Sequence, residues 1–222
     1  MLKWLNIWDY FMMILEDRRN IMELTDLDIQ NLKNQFIELL RSTKREGIEE
    51  LINFLEKSDF FTAPSSTRFH GAYKGGLLVH SLNVYNEFIK LKESGVFPLE
   101  NVKDETSYII CPLLHDICKT YFYAEDTRNV KNKETGQWEQ VPYYTVDDKI
   151  PYGHGEKSVM MVEQYIKLLP YERFAIRWHM GAYSGQQDWN YIGASYDKYP
   201  FAMMLHFADM CATHILEVEK EN

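Results

Sequence analysis

Apolar residues recur every three or four positions along most of this chain. Over residues 25–42 a capping threonine precedes apolar positions that include Ile29, Leu32 and Phe36, and residues 46–58 repeat the pattern. This spacing predicts amphipathic helices. The same reasoning predicts further helices over residues 77–94, 104–120, 153–169, 170–180 and 201–220. The chain is therefore predicted to be mainly α-helical.

The pattern changes between residues 121 and 151. Two stretches rich in aromatic and β-branched residues flank the short segment "KETG". This composition predicts a β-hairpin inserted between helices. Residues 59–76 and 181–200 are rich in glycine and small polar residues and are predicted to be loops. Because the second loop is long for a compact domain, it is a candidate lid, and its aromatic residues either stack on a base or anchor the loop.

No internal repeat or convincing linker divides the sequence. We expect N-terminal helices over residues 1–60 to pack on a main unit over residues 61–222, with the whole forming one compact body. The first 24 residues read as an amphipathic helix that packs on this body or on a second subunit. A helix lying on a membrane surface is a weaker alternative, because its polar side is not rich in lysine.

Composition narrows the classes of partner. The chain of 222 residues carries 33 acidic and 24 basic side chains, a formal charge of −9. Such a chain repels polyphosphates overall, so no extended nucleic-acid track is expected. No apolar run reaches the roughly 18 residues that a membrane span needs. The three cysteines include no C-x-x-C pair, which favours a reducing cytoplasm over a disulfide or zinc-knuckle scaffold.

Histidines and aspartates are concentrated on the predicted helices. Two aspartates, Asp116 and Asp209, lie inside apolar runs, where an unpaired charge is costly. Five histidines lie on helices or at their ends: His80, His115, His154, His179 and His206. A lone histidine on an apolar face is more often a hydrogen-bonded core residue, but this combination favours a metal site. Imidazole and carboxylate are suitable ligands for Mn²⁺, Fe, Zn²⁺ or Ni²⁺.

The order of these residues, H…HD…H…H…D, resembles the two-metal form of the HD-domain superfamily of metal-dependent phosphohydrolases. The resemblance covers roughly residues 64 to 218 and implies an HD-domain helical bundle. Within it, "FHGAYKGGLLVHS" is similar to the "HHAY-x-GGLxxHT" stretch of the YhaM-type 3′–5′ exoribonucleases. "WHMG" and "HFAD" resemble later motifs of that group.

The resemblance implies two divalent transition-metal ions. One would be held by His80, His115, Asp116 and Asp209, and the other by Asp116, His154 and His179. Asp116 is the shared ligand, because a carboxylate has two oxygens and can bridge neighbouring ions. His206 fits better as a hydrogen-bonding partner of a ligand than as a ligand itself. Cys111 and Cys118 are open alternative ligands, because both fall on the same helical side as His115, although small buried hydrophobes are the favoured interpretation.

Lys119 follows Asp116 by three residues, so both side chains are expected to face one pocket. It is similar to the lysine of the "HDxxK" pattern of two-metal HD phosphodiesterases, which implies a catalytic role on a substrate phosphate. A solvated lysine at a helix end is the alternative. His70 and Tyr73, in the glycine-rich loop, are candidate substrate contacts, and structural roles are equally open.

These features together predict a hydrolase that cleaves a phosphoester of a nucleotide, cyclic nucleotide or short oligonucleotide with water activated by two metals. Two alternatives stay open. One is a 3′–5′ exoribonuclease with a shortened chain, and the other is a nucleotide-binding sensor without catalysis. The oligomeric state is not readable from the sequence, and a homo-oligomer is compatible with it.

Overall fold

The protein is mainly α-helical, as the computed structural model describes it over residues 24–68, 70–133 and 135–218. The predicted amphipathic helix over the first 24 residues lies almost wholly outside these described residues. Across the described ranges the helices are α1 Asp26–Ser42, α2 Ile48–Lys57, α3 Gly76–Glu93, α4 Ser107–Leu114, α5 His154–Val162, α6 Pro170–Trp178, α7 Trp189–Lys198 and α8 Pro200–Cys211. The prediction of a helical bundle with an inserted β-hairpin is confirmed.

Helix α1 begins where the sequence predicts it. The Thr25 hydroxyl accepts a hydrogen bond from the Asp28 backbone N–H at 3.2 Å, and the Asp28 carboxylate accepts one from the Thr25 N–H at 3.0 Å. This reciprocal arrangement satisfies N–H groups that a helix start leaves unpaired. The apolar side of α1, including Ile29 and Phe36, is buried against the rest of the bundle.

The core is built around α3 and α8. The first two turns of α3 are buried almost completely, polar residues included. Phe88 of α3 meets Phe201 of α8 edge-on, with ring centroids 5.1 Å apart, a favourable geometry for aromatic rings. Because the inner faces of both helices are buried, polar side chains on these faces must find partners inside the protein.

The inserted hairpin consists of β1 Tyr123–Lys131 and β2 Trp138–Val146, which pair antiparallel from Tyr123↔Val146 to Lys131↔Trp138. Most of its residues are exposed on both faces. Its base is attached to the bundle, because the Tyr123 hydroxyl donates to the Ser65 carbonyl at 3.0 Å. Lys157 of α5 also donates to the Asp148 carboxylate at 2.6 Å.

A buried ionic cluster joins the starts of α4 and α6. The Glu172 carboxylate is fully buried, forms an ion pair with Arg45 and accepts from the Ser107 hydroxyl at 2.6 Å. Arg45 also donates to the Thr106 hydroxyl at 2.8 Å and lies 3.2 Å from the Asp104 carboxylate. The connection between α1 and α2 therefore holds two later helices together at their N-terminal ends.

Several predicted bounds differ from the structure; helix α5, for example, ends at Val162 rather than at residue 169. Helix α4 ends at Leu114 rather than continuing to residue 120, and a tight 3₁₀ turn over Ile117–Lys119 follows it. The prediction of a loop over residues 181–200 is wrong in its second half, where α7 forms. Buried Ile192 and Ser195 hold α7 against the bundle, an anchorage that the surrounding glycines and tyrosines hide in the sequence.

Over the ranges that the structure describes, no helix combines the length and the apolar composition needed to cross a membrane.

Candidate metal centre

The six predicted metal ligands converge on one place in the bundle, although they come from five different helices or helix ends. His80 lies within the first two turns of α3, and Asp209 lies in α8. His115 and His179 follow the last residues of α4 and α6, and His154 opens α5. Asp116 comes directly after His115, at the start of the 3₁₀ turn.

Asp116 lies at the middle of this group and uses its two oxygens on different sides. Its Oδ1 lies 2.7 Å from Nε2 of His154 and 3.4 Å from Nε2 of His179. Its Oδ2 lies 3.5 Å from Nε2 of His80 and 3.4 Å from Nε2 of His115. Each carboxylate oxygen therefore faces its own pair of imidazoles.

Asp209 completes the side that contains His80 and His115. Its Oδ1 lies 3.3 Å from Nε2 of His80, and the two Nε2 atoms of His80 and His115 are themselves 3.3 Å apart. Three ligand atoms this close, from two imidazoles and a carboxylate, form a group that is able to hold a metal ion. His115, Asp116 and His179 form another such group.

Each of the four imidazoles directs Nε2 towards the centre, and a neighbouring group contacts its Nδ1 on the opposite side of the ring. Nδ1 of His115 and of His179 lies 2.8 and 2.7 Å from a backbone carbonyl three residues earlier. Nδ1 of His154 lies 3.2 Å from the Cys118 sulfur, and Nδ1 of His80 lies 3.2 Å from the Glu217 carboxylate. Partners at Nδ1 fix the tautomer that leaves Nε2 available to a metal.

The environment of His179 also fits a bound metal ion. Nε2 of His179 is fully buried and has no hydrogen-bond partner within the described residues. Burial also lowers the pKa of His179, which favours the neutral ring. An orphaned, neutral imidazole nitrogen aimed at a carboxylate is unusual in a protein interior and is the form that binds a cation.

Charges in the site are strongly coupled. Burial alone would raise the pKa of the Asp116 carboxyl, but Lys119, His115 and His154 hold it well below its usual range. Burial likewise opposes charge on His80, yet the carboxylates of Glu217 and Asp209 raise its pKa to about 10. The site therefore keeps its carboxylates ionised and demands positive charge beside them, which protons or metal cations would supply.

Lys119 lies where the sequence predicts it, in the pocket with Asp116. Its Nζ is 2.6 Å from Oδ2 of Asp116, and its side chain is mostly buried. The two residues stand three positions apart at the 3₁₀ turn, where such pairs project from the same side. Burial opposes the charged form of Lys119, but Asp116 raises the pKa of the ammonium group above its ordinary value.

Of the two candidate substrate contacts, His70 lies beside this centre. The His70 ring lies 5.0 Å from the His80 ring, centroid to centroid, and burial lowers its pKa to about 4. Its backbone carbonyl accepts from the hydroxyls of Ser65 and Ser66 at 2.7 and 2.9 Å. Tyr73 is 39% exposed. The structure thus places a neutral imidazole beside the predicted metal ligands, while Tyr73 is only partly enclosed.

His206 does not join the ligand group. Its Nδ1 lies 2.7 Å from the backbone oxygen of His179. Its ring occupies the space where a Cβ on Gly181 would stand, 2.5 Å from the nearest ring atom. Because Gly181 has a positive φ of 52° and this close neighbour, glycine is the residue that the turn after His179 requires.

Sequence reasoning missed Glu217 and left the part played by Cys118 open. Glu217 stands between Leu216 and Val218, where acidic and apolar residues alternate, and nothing in this local sequence marks its carboxylate as buried. Its approach to His80 depends on the packing of α3 against the segment after α8. Cys118 lies beside Asp116 and His154 in a third group that is able to hold a metal ion.

Comparison with known proteins gives one distant relative. The dihydroneopterin 2′,3′-cyclic phosphate phosphodiesterase of Methanocaldococcus jannaschii is 30% identical over 123 residues, which cover 53% of this chain and 43% of the relative. The match thus spans less than half of that protein. No protein-family model matches the chain, and no solved structure matches it. A phosphodiesterase is therefore among the proteins that this chain is similar to, and its own residues include groups that are able to hold metal ions.

Proposed function

We propose that this protein is a metal-dependent phosphodiesterase of the HD type, which hydrolyses a small phosphate ester. The observation that carries the proposal is the position of Asp116, whose two oxygens each face a separate pair of histidines. A shared carboxylate between two sets of imidazoles suits two cations better than one. The similarity to a phosphodiesterase supports the same reaction class.

The residues would divide into two ligand sets. His80, His115, Asp116 and Asp209 form the first set, and Asp116, His154 and His179 form the second. Two divalent ions such as Mn, Fe, Ni or Zn would supply an activated water and offset the charge of the phosphate. Nitrogen and oxygen donors suit all four metals.

Lys119 would bind a phosphate oxygen of the substrate. Its ammonium group already lies in the pocket, held by Asp116, so it needs no reorganisation when the substrate arrives. The neutral His70 ring and the Tyr73 phenol would contact the remainder of the substrate at the rim. All these residues belong to the unit over residues 61–222, for which α1 and α2 of the preceding segment would provide support.

We further propose that the substrate is a nucleotide, a cyclic nucleotide or a short oligonucleotide. The activity for which the relative is named concerns a 2′,3′-cyclic phosphate, which makes cyclic phosphodiesters the first class to test. A formal charge of −9 argues against a long RNA track. The stretch "FHGAYKGGLLVHS", similar to the YhaM-type exoribonucleases, keeps 3′-end trimming of RNA as the second candidate.

The test is turnover by the metal-loaded 222-residue chain on 2′,3′-cyclic nucleotides, 3′,5′-cyclic nucleotides, dinucleotides and a 30-mer RNA. We expect metal-dependent hydrolysis of the small diesters, which chelation abolishes and added Mn²⁺ restores. Asp116→Ala should be inactive, while Asp126→Ala on the exposed hairpin should match the wild type. Binding of nucleotides without any turnover would instead identify a sensor. Processive shortening of the 30-mer would identify an exoribonuclease.

A further inference from the structure

Glu217 approaches His80 from the side opposite the metal centre. Both of its carboxylate oxygens lie 3.2 Å from Nδ1 of His80, and the Asn83 side-chain amide donates to one of them at 2.9 Å. The Glu217 side chain is 7% exposed. A buried carboxylate with an imidazole and an amide as partners is fixed in position and keeps its negative charge against the ring.

A change in helix geometry brings Glu217 to this position. Helix α8 carries Asp209 and passes into one wide π-helical turn over Ala212–Leu216. The Glu217 backbone N–H then donates to the Ala212 carbonyl, five residues back, at 3.0 Å. Wide turns of this kind are rare and are frequent at functional sites. One chain segment thereby supplies a carboxylate to each ring nitrogen of His80.

The other three imidazoles have weaker partners at Nδ1 in the described part of the chain. His115 and His179 face neutral carbonyl oxygens, and His154 faces the Cys118 thiol. A carboxylate partner makes an imidazole a stronger electron donor than a carbonyl or a thiol does. Of these four rings, His80 would therefore be the strongest metal ligand.

His154 is the most exposed side chain of the two ligand sets. It is 30% exposed, whereas His80, His115 and His179 are 1%, 0% and 0% exposed and Asp209 is 14% exposed. Water and chelators reach a ligand near the surface more easily than one enclosed by helices. The strength of His80 as a ligand and its burial therefore favour retention of a metal ion at its position. The exposure of His154 to water favours exchange of the ion at the other position.

We propose that the two metal positions are unequal, and that Glu217 makes the position formed by His80, His115 and Asp209 the tighter one. The position at His154 and His179 takes up and releases its ion more readily. This inference rests on the two-metal centre of the proposed function. Glu217 acts on the metal through His80, so it is a positioning residue rather than a ligand.

The experiment is a metal titration of the full chain after removal of metal with a chelator. Mn²⁺ or Zn²⁺ is added in competition with a chromophoric chelator, and the stoichiometry is read by elemental analysis. Wild-type protein should show one tight and one weaker class of site. Glu217→Gln keeps the shape of the side chain but removes its charge. It should weaken the tight class by roughly 10- to 100-fold and leave the weaker class unchanged.

Glu105→Gln provides a matched control, because Glu105 is 79% exposed and pairs with Lys92 on the surface. This variant should titrate like the wild type. Asn83→Ser provides a second route in case Glu217→Gln fails to fold, since it leaves the carboxylate in place and removes only its amide donor. We expect it to weaken the same tight class by a smaller factor.

Three results would overturn the inference: a single class of two equal sites, an unchanged tight class in Glu217→Gln, or equal weakening of both classes. Each of these leaves the proposed function standing, because two ions are still bound. A wild-type protein that binds no metal at any concentration tested would instead remove the proposed function together with the inference. Circular dichroism of each metal-free variant establishes that the change lies in metal affinity and not in folding.

Discussion

His115 and His179 are placed by the same local arrangement at the ends of two different helices. Each follows the last helical residue, and each Nδ1 lies within 2.8 Å of the carbonyl oxygen three residues earlier, on Pro112 and Ile176. The two rings then meet edge-on, with centroids 4.8 Å apart. Helix ends leave carbonyls unpaired, so the imidazoles satisfy them and direct Nε2 towards Asp116.

Asp116→Ala should remove both metal ions, because one oxygen serves each pair of histidines. Elemental analysis of the purified variant should show a fall from two ions per chain to fewer than one. Asp126→Ala, on the exposed hairpin, is the control and should retain the full complement. Retention of one tightly bound ion by Asp116→Ala would argue against a shared carboxylate.

Asp209→Ala and His154→Ala should differ in which ion they lose. Asp209 contacts His80, so its removal should empty the tight position, while loss of His154 should weaken only the exchangeable one. Titration with Mn²⁺ separates the two, since His154→Ala should keep one high-affinity ion and Asp209→Ala should keep none. If both variants lose the tight and the weaker metal site to the same extent, the assignment of ligands to the two positions is wrong.

Lys119→Met should slow phosphodiester hydrolysis by about 100-fold with little change in bound metal, because a preorganised charge on a developing oxyanion contributes on this scale. The measurement is kcat and KM on a 2′,3′-cyclic nucleotide alongside elemental analysis. Lys149→Met is the matched control, since Lys149 is an exposed lysine paired with Asp147. A Lys119→Met enzyme with unchanged kcat/KM would exclude a role on the phosphate.

Glu172→Gln should lower the free energy of unfolding by roughly 3 kcal/mol, because it leaves the largely buried Arg45 without its main charged partner. Urea denaturation measures the change. Replacing both residues with apolar side chains of similar size should restore part of the loss. A second control is Glu49→Gln, which breaks the exposed pair with Arg41 and should lower the free energy of unfolding far less.

Affinity for single-stranded RNA should depend only weakly on salt. Each phosphate contact outside the metal pocket adds about 0.7 to the slope of log affinity against log salt, and an acidic chain offers few such contacts. Catalytic efficiency should therefore be no greater for a 30-mer than for a dinucleotide. Turnover of a length series at two salt concentrations measures both quantities. A steep gain with length would favour the exoribonuclease.

Much of the candidate centre was predictable, because its residues stand out locally. Asp116 and Asp209 interrupt apolar runs, and together with the histidines at helical positions they favour a metal site. The helical periodicity likewise predicts α1 and α2, and the aromatic and β-branched composition predicts the hairpin. These signals are carried by neighbours in sequence, which is why they can be read without tertiary contacts.

The partners behind the histidines were not predictable in the same way. Two of them are backbone carbonyls, which every type of residue provides and which the sequence therefore does not mark. Glu217 reaches His80 only because α8 passes into a wide turn. Helix α7 was missed for a related reason, since its buried residues Ile192 and Ser195 are too few to form an apolar pattern. Features set by packing between distant segments leave little local signal.

The hairpin connects Lys119 to His154, yet its strands extend away into solvent. Its base is held to the bundle through Tyr123 and Asp148, and its turn lies some nine residues further along each strand. At about 3.3 Å per residue, this turn stands on the order of 30 Å from the base. The turn is therefore a natural attachment point for a fluorescent label or an affinity tag, where added mass leaves the geometry of the centre undisturbed.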